Sequence, residues 1–111
     1  MEKLPVSVTI ITLNEEKDLP RALKSVQWAS EVIVVDSQSS DRTPEIAKAH
    51  GAKVVDEKWR GYGAQKNFAM NQCGNEWILN IDADEEVTED LKKEIAAIIQ
   101  NPKAANVYAV A

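Results

Sequence analysis

The chain is predicted to be an α/β domain: a Rossmann-like three-layer α/β/α sandwich around a mostly parallel sheet. Three observations predict it. Short runs rich in valine and isoleucine alternate with stretches of helical period along the 111 residues. The longer runs are apolar at most positions, as strands covered on both faces are. Each of the first four ends in, or runs directly into, a hydroxyl, amide or carboxylate residue. Right-handed crossovers then favour the strand order 3-2-1-4 with one further strand, and ligands bind beyond the carboxyl ends, where the order reverses between strands one and four.

The elements follow in order. Val6–Thr12 is the first strand, and Leu13-Asn14-Glu15-Glu16 is a polar junction. Leu19, Ala22, Leu23 and Val26 fall at helical spacing, with Asn14 as the expected N-cap, Glu15 and Glu16 at the positive helix end, and Pro20 near the first turn. Glu31–Asp36 is the second strand, followed by the hydroxyl-rich loop Ser37–Asp41. Thr43 caps a helix with Pro44 at its first position, which runs to about His50 and stops at Gly51. Ala52–Val55 is a short third strand, and Asp56–Gly63 is a long loop carrying Trp59. A helix over Ala64–Cys73 would carry Lys66 and Asn67 in its first turn. Trp77–Ile81 is the fourth strand and runs into Asp82-Ala83-Asp84-Glu85. Thr88 caps a last helix with the stripe Leu91, Ile95, Ile98, Ile99, stopped by Asn101-Pro102. Val107–Val110 is the fifth strand.

Composition narrows the function classes. Hydrophobic residues make up 44% and charged residues 28%, the balance of an ordinary globular domain. A net charge of -5 argues against a nucleic-acid surface, which needs a basic stripe. Cys73 is the one cysteine, so no internal disulfide forms and a reducing, cytoplasmic compartment is expected. No run approaches membrane-spanning length.

The chemistry concentrates at the strand ends: Thr12 and Asn14, Asp36 and Ser37, Asp56, and Asp82 with Asp84. An acid-lined edge does not hold phosphate directly. It holds a hard divalent cation, Mg²⁺ or Mn²⁺, which takes phosphate oxygens as further ligands. Asp36, set apart from the pair, suits a sugar hydroxyl or a base N–H, and Lys66 suits residual phosphate charge. The residues alone therefore suggest metal-assisted handling of a nucleoside diphosphate. A solvated acidic turn is the bland alternative for Asp82 and Asp84, loop capping for Asp36, and a solvated helix position for Lys66.

Four segments together resemble the family 2 glycosyltransferases of GT-A fold: Val8–Glu15, Val34–Ser37 with Ser40–Thr43, Gly63–Asn67, and Leu79–Glu85. Trp59–Asn67 is most similar to the bacterial branch that builds the lipopolysaccharide core. The resemblance implies a nucleotide-diphosphate sugar donor, a UDP-sugar, whose sugar passes to an acceptor hydroxyl. It places Thr12, Asn14 and Glu15 in the nucleoside pocket, Asp36 on the base and Lys66 near the nucleotide. Asp82 would face the ribose or the metal, and Asp84 would ligate the metal. Gln38 departs from the pattern, which has a small residue there, often glycine.

Members of that family are longer, and their later half carries the acceptor site and the general base. Residues 1–111 are thus expected to be the donor-binding half, inactive alone, from an enzyme acting in the cytoplasm or peripherally at the inner membrane face. Self-association is expected through an exposed edge at Val107, Tyr108 and Val110. A folded, non-catalytic fragment with weak nucleotide binding is one alternative. A flavodoxin-like receiver or phosphatase is another, although its aspartates would belong on strands one or three. Among other residues, His50 fits a helix end, Cys73 and the tryptophans Trp28 and Trp77 fit packing, and Glu85 and Glu86 fit a helix approach. Trp59 fits a ligand cover or a cover for the sheet edge equally well.

Overall fold

β-Branched segments pair in parallel throughout. The computed structural model describes residues 3–100 and the backbone of 107–109. The strands are β1 (Leu4–Thr12), β2 (Ala29–Asp36), β3 (Lys53–Asp56), β4 (Trp77–Asp82) and β5 (Val107–Ala109). The helices are α1 (Leu19–Lys24), α2 (Thr43–Ala49), α3 (Tyr62–Asn71) and α4 (Glu89–Ile99). The sheet order is β3-β2-β1-β4-β5, as the crossover rule predicts. Thr12 pairs with Asp36, Asp36 with Asp56, and Ile11 with Asp82, so the ends of β1, β2, β3 and β4 lie together on one edge.

Strand alternation sends side chains into two cores. Val6, Val8, Ile10, Val34, Leu79 and Ile81 face α1, α2 and α4, meeting Leu19, Leu23, Ala47, Leu91 and Ile95. Ile33 and Val35 face the other way and meet Ala69, with Phe68 and Cys73 packed alongside. The second face of β1 is buried but polar. Ser7 Oγ donates to Glu31 Oε1 at 2.6 Å and accepts from Asn75 Nδ2, while Thr9 Oγ1 donates to Asn80 Oδ1. Trp28 is buried and Trp77 half-buried in the first core. Burial pushes the Cys73 thiol above its ordinary pKa, as suits a packing residue. His50 caps the C-terminus of α2.

Some boundaries differ from the sequence reading. Asn14 does not cap α1: the helix starts at Leu19, because the Asn14 amide oxygen is taken by backbone N–H groups of the neighbouring loop. Thr43 is the first residue of α2 rather than its cap, and its N–H is satisfied by Asp41 Oδ1 at 2.9 Å. α3 starts two residues early because Gly61, at φ 95°, turns the chain directly into Tyr62, which places Lys66 in the second turn. The Thr88 cap is as expected, its side chain accepting from Leu91 N. No described helix is long and apolar enough to cross a membrane. The Asn101-Pro102 stop, Val110 and the side chains of Val107 and Tyr108, on which the self-associating edge was read, lie outside the described residues.

Candidate functional site: the carboxyl edge of the sheet

Two loops close on each other above β1 and β2. Asn14 N donates to Ser39 Oγ at 2.8 Å, Glu15 N to Thr43 Oγ1 at 2.9 Å, and Glu16 N to Asp41 Oδ2 at 3.3 Å. In return Asn14 Oδ1 accepts from Ser40 N at 2.8 Å and Asp41 N at 3.3 Å. Asn14 reaches this position with φ 53°, a left-handed conformation that asparagine tolerates. Gln38 sits at φ 59°, where a glycine would carry no strain, which accounts for the small residue that the motif has there.

Asp36 lies beneath this latch, 1% exposed. Its Oδ1 accepts from Thr12 Oγ1 at 2.7 Å and Ser39 Oγ at 2.6 Å, and its Oδ2 accepts from Ser39 N at 2.9 Å. Asp36 thus caps the loop that follows β2. Three of about four carboxylate acceptor positions are filled, and one on Oδ2 is left. An open hollow of about 410 Å³ adjoins it, lined by Asp36, Gln38, Ser39, Pro44, Lys48 and Asp56 among others. The larger hollow, about 640 Å³, is lined by residues such as Lys24, Trp28 and Lys92 and contains none of the predicted site residues.

Gln65 is fully buried, although a polar helix position gives no sign of it in the sequence. Its Nε2 donates to Ser37 Oγ at 3.0 Å and Glu57 O at 3.2 Å, and its Oε1 accepts from Arg60 N at 3.2 Å. It pins the long loop after β3 to the end of β2. The only sequence signal was its place inside a motif. Lys66 makes no ion pair among the described residues, and its Nζ lies 5.5 Å from the centroid of the Tyr62 ring.

The β4 end is built differently. Asp82 and Asp84 are exposed, with Ala83 buried between them. Neither carboxylate has a hydrogen bond or ion pair among the described residues. Glu85 fastens the turn instead: its Oε1 accepts from Asp82 N at 2.6 Å, and its N–H donates to Asp82 O at 3.0 Å. Arg21, to which the sequence pattern assigns no role, donates to Asp84 O at 3.3 Å. Burial raises the Glu15 pKa, and the charges of Asp18, Asp84, Asp41 and Asp82 raise it further, so these acids share one electrostatic neighbourhood. Dehydration also pushes Asp41 up, but hydrogen bonds from the Thr43 hydroxyl, Thr43 N and Glu16 N outweigh it and hold the carboxyl below its ordinary value.

No three His, Cys, Asp or Glu side chains among the described residues form a metal cage. Two exposed, unpartnered carboxylates one residue apart nevertheless fit a cation such as Mg²⁺, which takes one or two carboxylates and completes its shell with phosphate oxygens and water.

Residues 7–111 match the family described as Glycosyl transferase family 2. The chain belongs to that family. An uncharacterized glycosyltransferase of Rickettsia typhi is 52% identical over 94 residues, 84% of this chain and 32% of its own length. The lipopolysaccharide core biosynthesis glycosyltransferase LpsC of Rhizobium meliloti is 40% identical over 96 residues, 82% of this chain and 36% of its own. The chain thus spans about a third of the curated relatives it matches. Among solved structures, S. aureus TarS 1–349 superposes with a TM-score of 0.74 at 30% identity, over 89% of this chain and 32% of that one. Glucosyl-3-phosphoglycerate synthase of Mycobacterium tuberculosis, solved with Mn²⁺, UDP and glucosyl-3-phosphoglycerate, superposes at 0.65 and 26% identity, over 73% and 35%. These neighbours share the GT-A fold with this family 2 chain, which displaces the receiver and phosphatase reading.

Proposed function

We propose that this chain is the donor-binding part of a glycosyltransferase. It takes a UDP-sugar at the carboxyl edge, with Mg²⁺ or Mn²⁺ held by Asp84 and Asp82. In the longer protein the sugar would pass to an acceptor hydroxyl of the lipopolysaccharide core, at the cytoplasmic side of the membrane. The observation that carries this reading is the pair of exposed carboxylates at the switch point between β1 and β4, without partners among the described residues. The neighbours support it: TarS has been solved in complex with UDP, the mycobacterial synthase with Mn²⁺ and UDP, and LpsC bears the lipopolysaccharide function in its name.

Each residue has a task in this reading. Thr12 and Asn14 hold the walls of the nucleoside pocket, and Glu15 extends its acidic side. Asp36 offers its remaining Oδ2 acceptor position to a base N–H. Lys66, with no ion pair among the described residues, meets nucleotide charge. The cation, when bound, neutralises the diphosphate that leaves with the nucleoside. Asp82 and Asp84 would otherwise repel that diphosphate, so nucleotide affinity depends on the metal.

Calorimetric titration of UDP and UDP-glucose, in Mg²⁺, in Mn²⁺ and in chelator, tests the reading. Affinity with metal should exceed that in chelator by about tenfold or more. Asp84→Ala should abolish most of the difference and change folding stability by less than about 0.5 kcal/mol. Equal binding with metal and chelator overturns the metal role. Absence of UDP binding under every condition overturns the reading.

A further inference from the structure

Trp59 is 46% exposed and Tyr62 61% exposed, on the loop and helix start that follow β3. Water contact on this scale costs large aromatic rings the benefit of burial, and the fold spends polar interactions to hold the segment where it is. The rings meet edge to face, centroids 5.4 Å apart and planes at 87°. That geometry leaves broad ring surface open. The Lys66 ammonium occupies one side of Tyr62, so the free surface belongs chiefly to Trp59.

The segment beneath is fixed. Gln65 binds Arg60 N and Glu57 O on either side of Trp59, an Arg60–Glu57 ion pair of 3.5 Å spans the same turn, and Gly61 at φ 95° sets the exit. The third bond of Gln65 goes to Ser37 Oγ, one residue past Asp36. One buried amide therefore sets the Trp59 loop and the Asp36 carboxylate in a common frame. A ligand group that uses both must offer hydrogen-bonding atoms on its edge and a flat π face. Of the parts of a nucleotide sugar, only the base does. The sugar, ribose and diphosphate have no π surface.

We propose that Trp59, braced by Tyr62, is the stacking wall for the donor's nucleobase, a specificity element on which the edge contact at Asp36 depends for orientation. This rests on the nucleotide reading above. Because the loop is pinned before the ligand arrives, little ordering cost opposes the stack.

The test compares ligands with and without a base, in Mg²⁺, by calorimetry and tryptophan fluorescence. Stacking of one base predicts that Trp59→Ala weakens UDP and uridine by roughly 5- to 150-fold. Binding of inorganic pyrophosphate, which has no base, should be unchanged. Trp59→Phe should restore most of the UDP affinity. Trp28 is buried and Trp77 half-buried, so UDP should quench the solvent-exposed emission of Trp59, and Trp59→Phe should abolish that quenching. The circular dichroism melt should not move, because the ring is half in water. If Trp59→Ala binds UDP as the parent does, the wall is overturned while the nucleotide reading stands. Equal losses for UDP and pyrophosphate also overturn it, as would a ring that serves only to pack against the remainder of a longer protein. If the parent binds no UDP, both fall together.

Discussion

The ends of β2 and β4 lie on the same edge of the sheet, and each carries an aspartate, yet the fold treats them in opposite ways. Asp36 is 1% exposed, and both its oxygens are engaged by Thr12 and Ser39. Asp82 and Asp84 are exposed, and their carboxylates have no partner among the described residues. Burying a carboxylate is tolerated only when hydrogen bonds replace its water, so Asp36 is part of the scaffold before it is part of any site. Leaving two like charges side by side is tolerated when water screens them or a cation joins them. The first aspartate organises the loop above β2, and the second pair holds no partner among the described residues.

The largest expected effect follows from that difference. Asp36→Ala should destabilise the fold by about 3 kcal/mol, because three hydrogen bonds to a charged group vanish and the buried Thr12 hydroxyl loses its acceptor. Urea titration against Asp84→Ala, for which almost no change is expected, measures the contrast. Similar losses at the two sites would dissolve the distinction between scaffold and ligand carboxylates.

Much of this was legible in the sequence. Alternating elements and the right-handed rule gave the strand order, and the acids after Val35 and Ile81 gave the edge. What could not be read was which partner each polar residue would choose. Asn14 looks like a helix cap, since Glu15 and Glu16 follow it. Its amide instead joins Ser40 and Asp41, more than 20 residues away. Gln65 has the appearance of a surface residue on a polar helix, and only the fold over it reveals a buried pin. Spacing along the chain reports local geometry, whereas these bonds form between loops brought together by the sheet. The one local departure that was legible, Gln38, proved to mark a left-handed residue.

Gln38 sharpens the comparison from the backbone. It lies two residues past Asp36, and its N–H donates to Asp56 Oδ1 at 3.2 Å. Gln38→Gly removes the cost of a left-handed side-chain-bearing residue, roughly 1–2 kcal/mol, and adds back the greater freedom of an unfolded glycine, about 0.4–1 kcal/mol. A net gain of about 0.5–1 kcal/mol is expected in the urea midpoint. A loss would mean that the glutamine side chain itself supports the Asp36 wall.

The smallest effect probes the open end through Glu15, which is half-buried and feels Asp18, Asp84, Asp41 and Asp82. Its folded pKa lies above the ordinary value of 4.5, with burial the leading cause. A raised carboxyl pKa means that the folded chain holds this proton more tightly than the unfolded chain does. The associated stability is present below the unfolded pKa and is lost as pH rises through the folded one. Asp41 runs the opposite way: its lowered pKa contributes stability above the unfolded value that is lost as pH falls. Glu15→Gln should therefore leave stability nearly unchanged at about pH 3.5 and raise it at pH 7, by about 0.5 kcal/mol once solvent screening is allowed for. Asp41→Asn should instead be more harmful at pH 7 than in acid. Urea midpoints of both variants across this pH range decide the matter. A Glu15→Gln offset that is the same at every pH would show that neither burial nor the neighbouring acids, Asp18, Asp84, Asp41 and Asp82, shift Glu15.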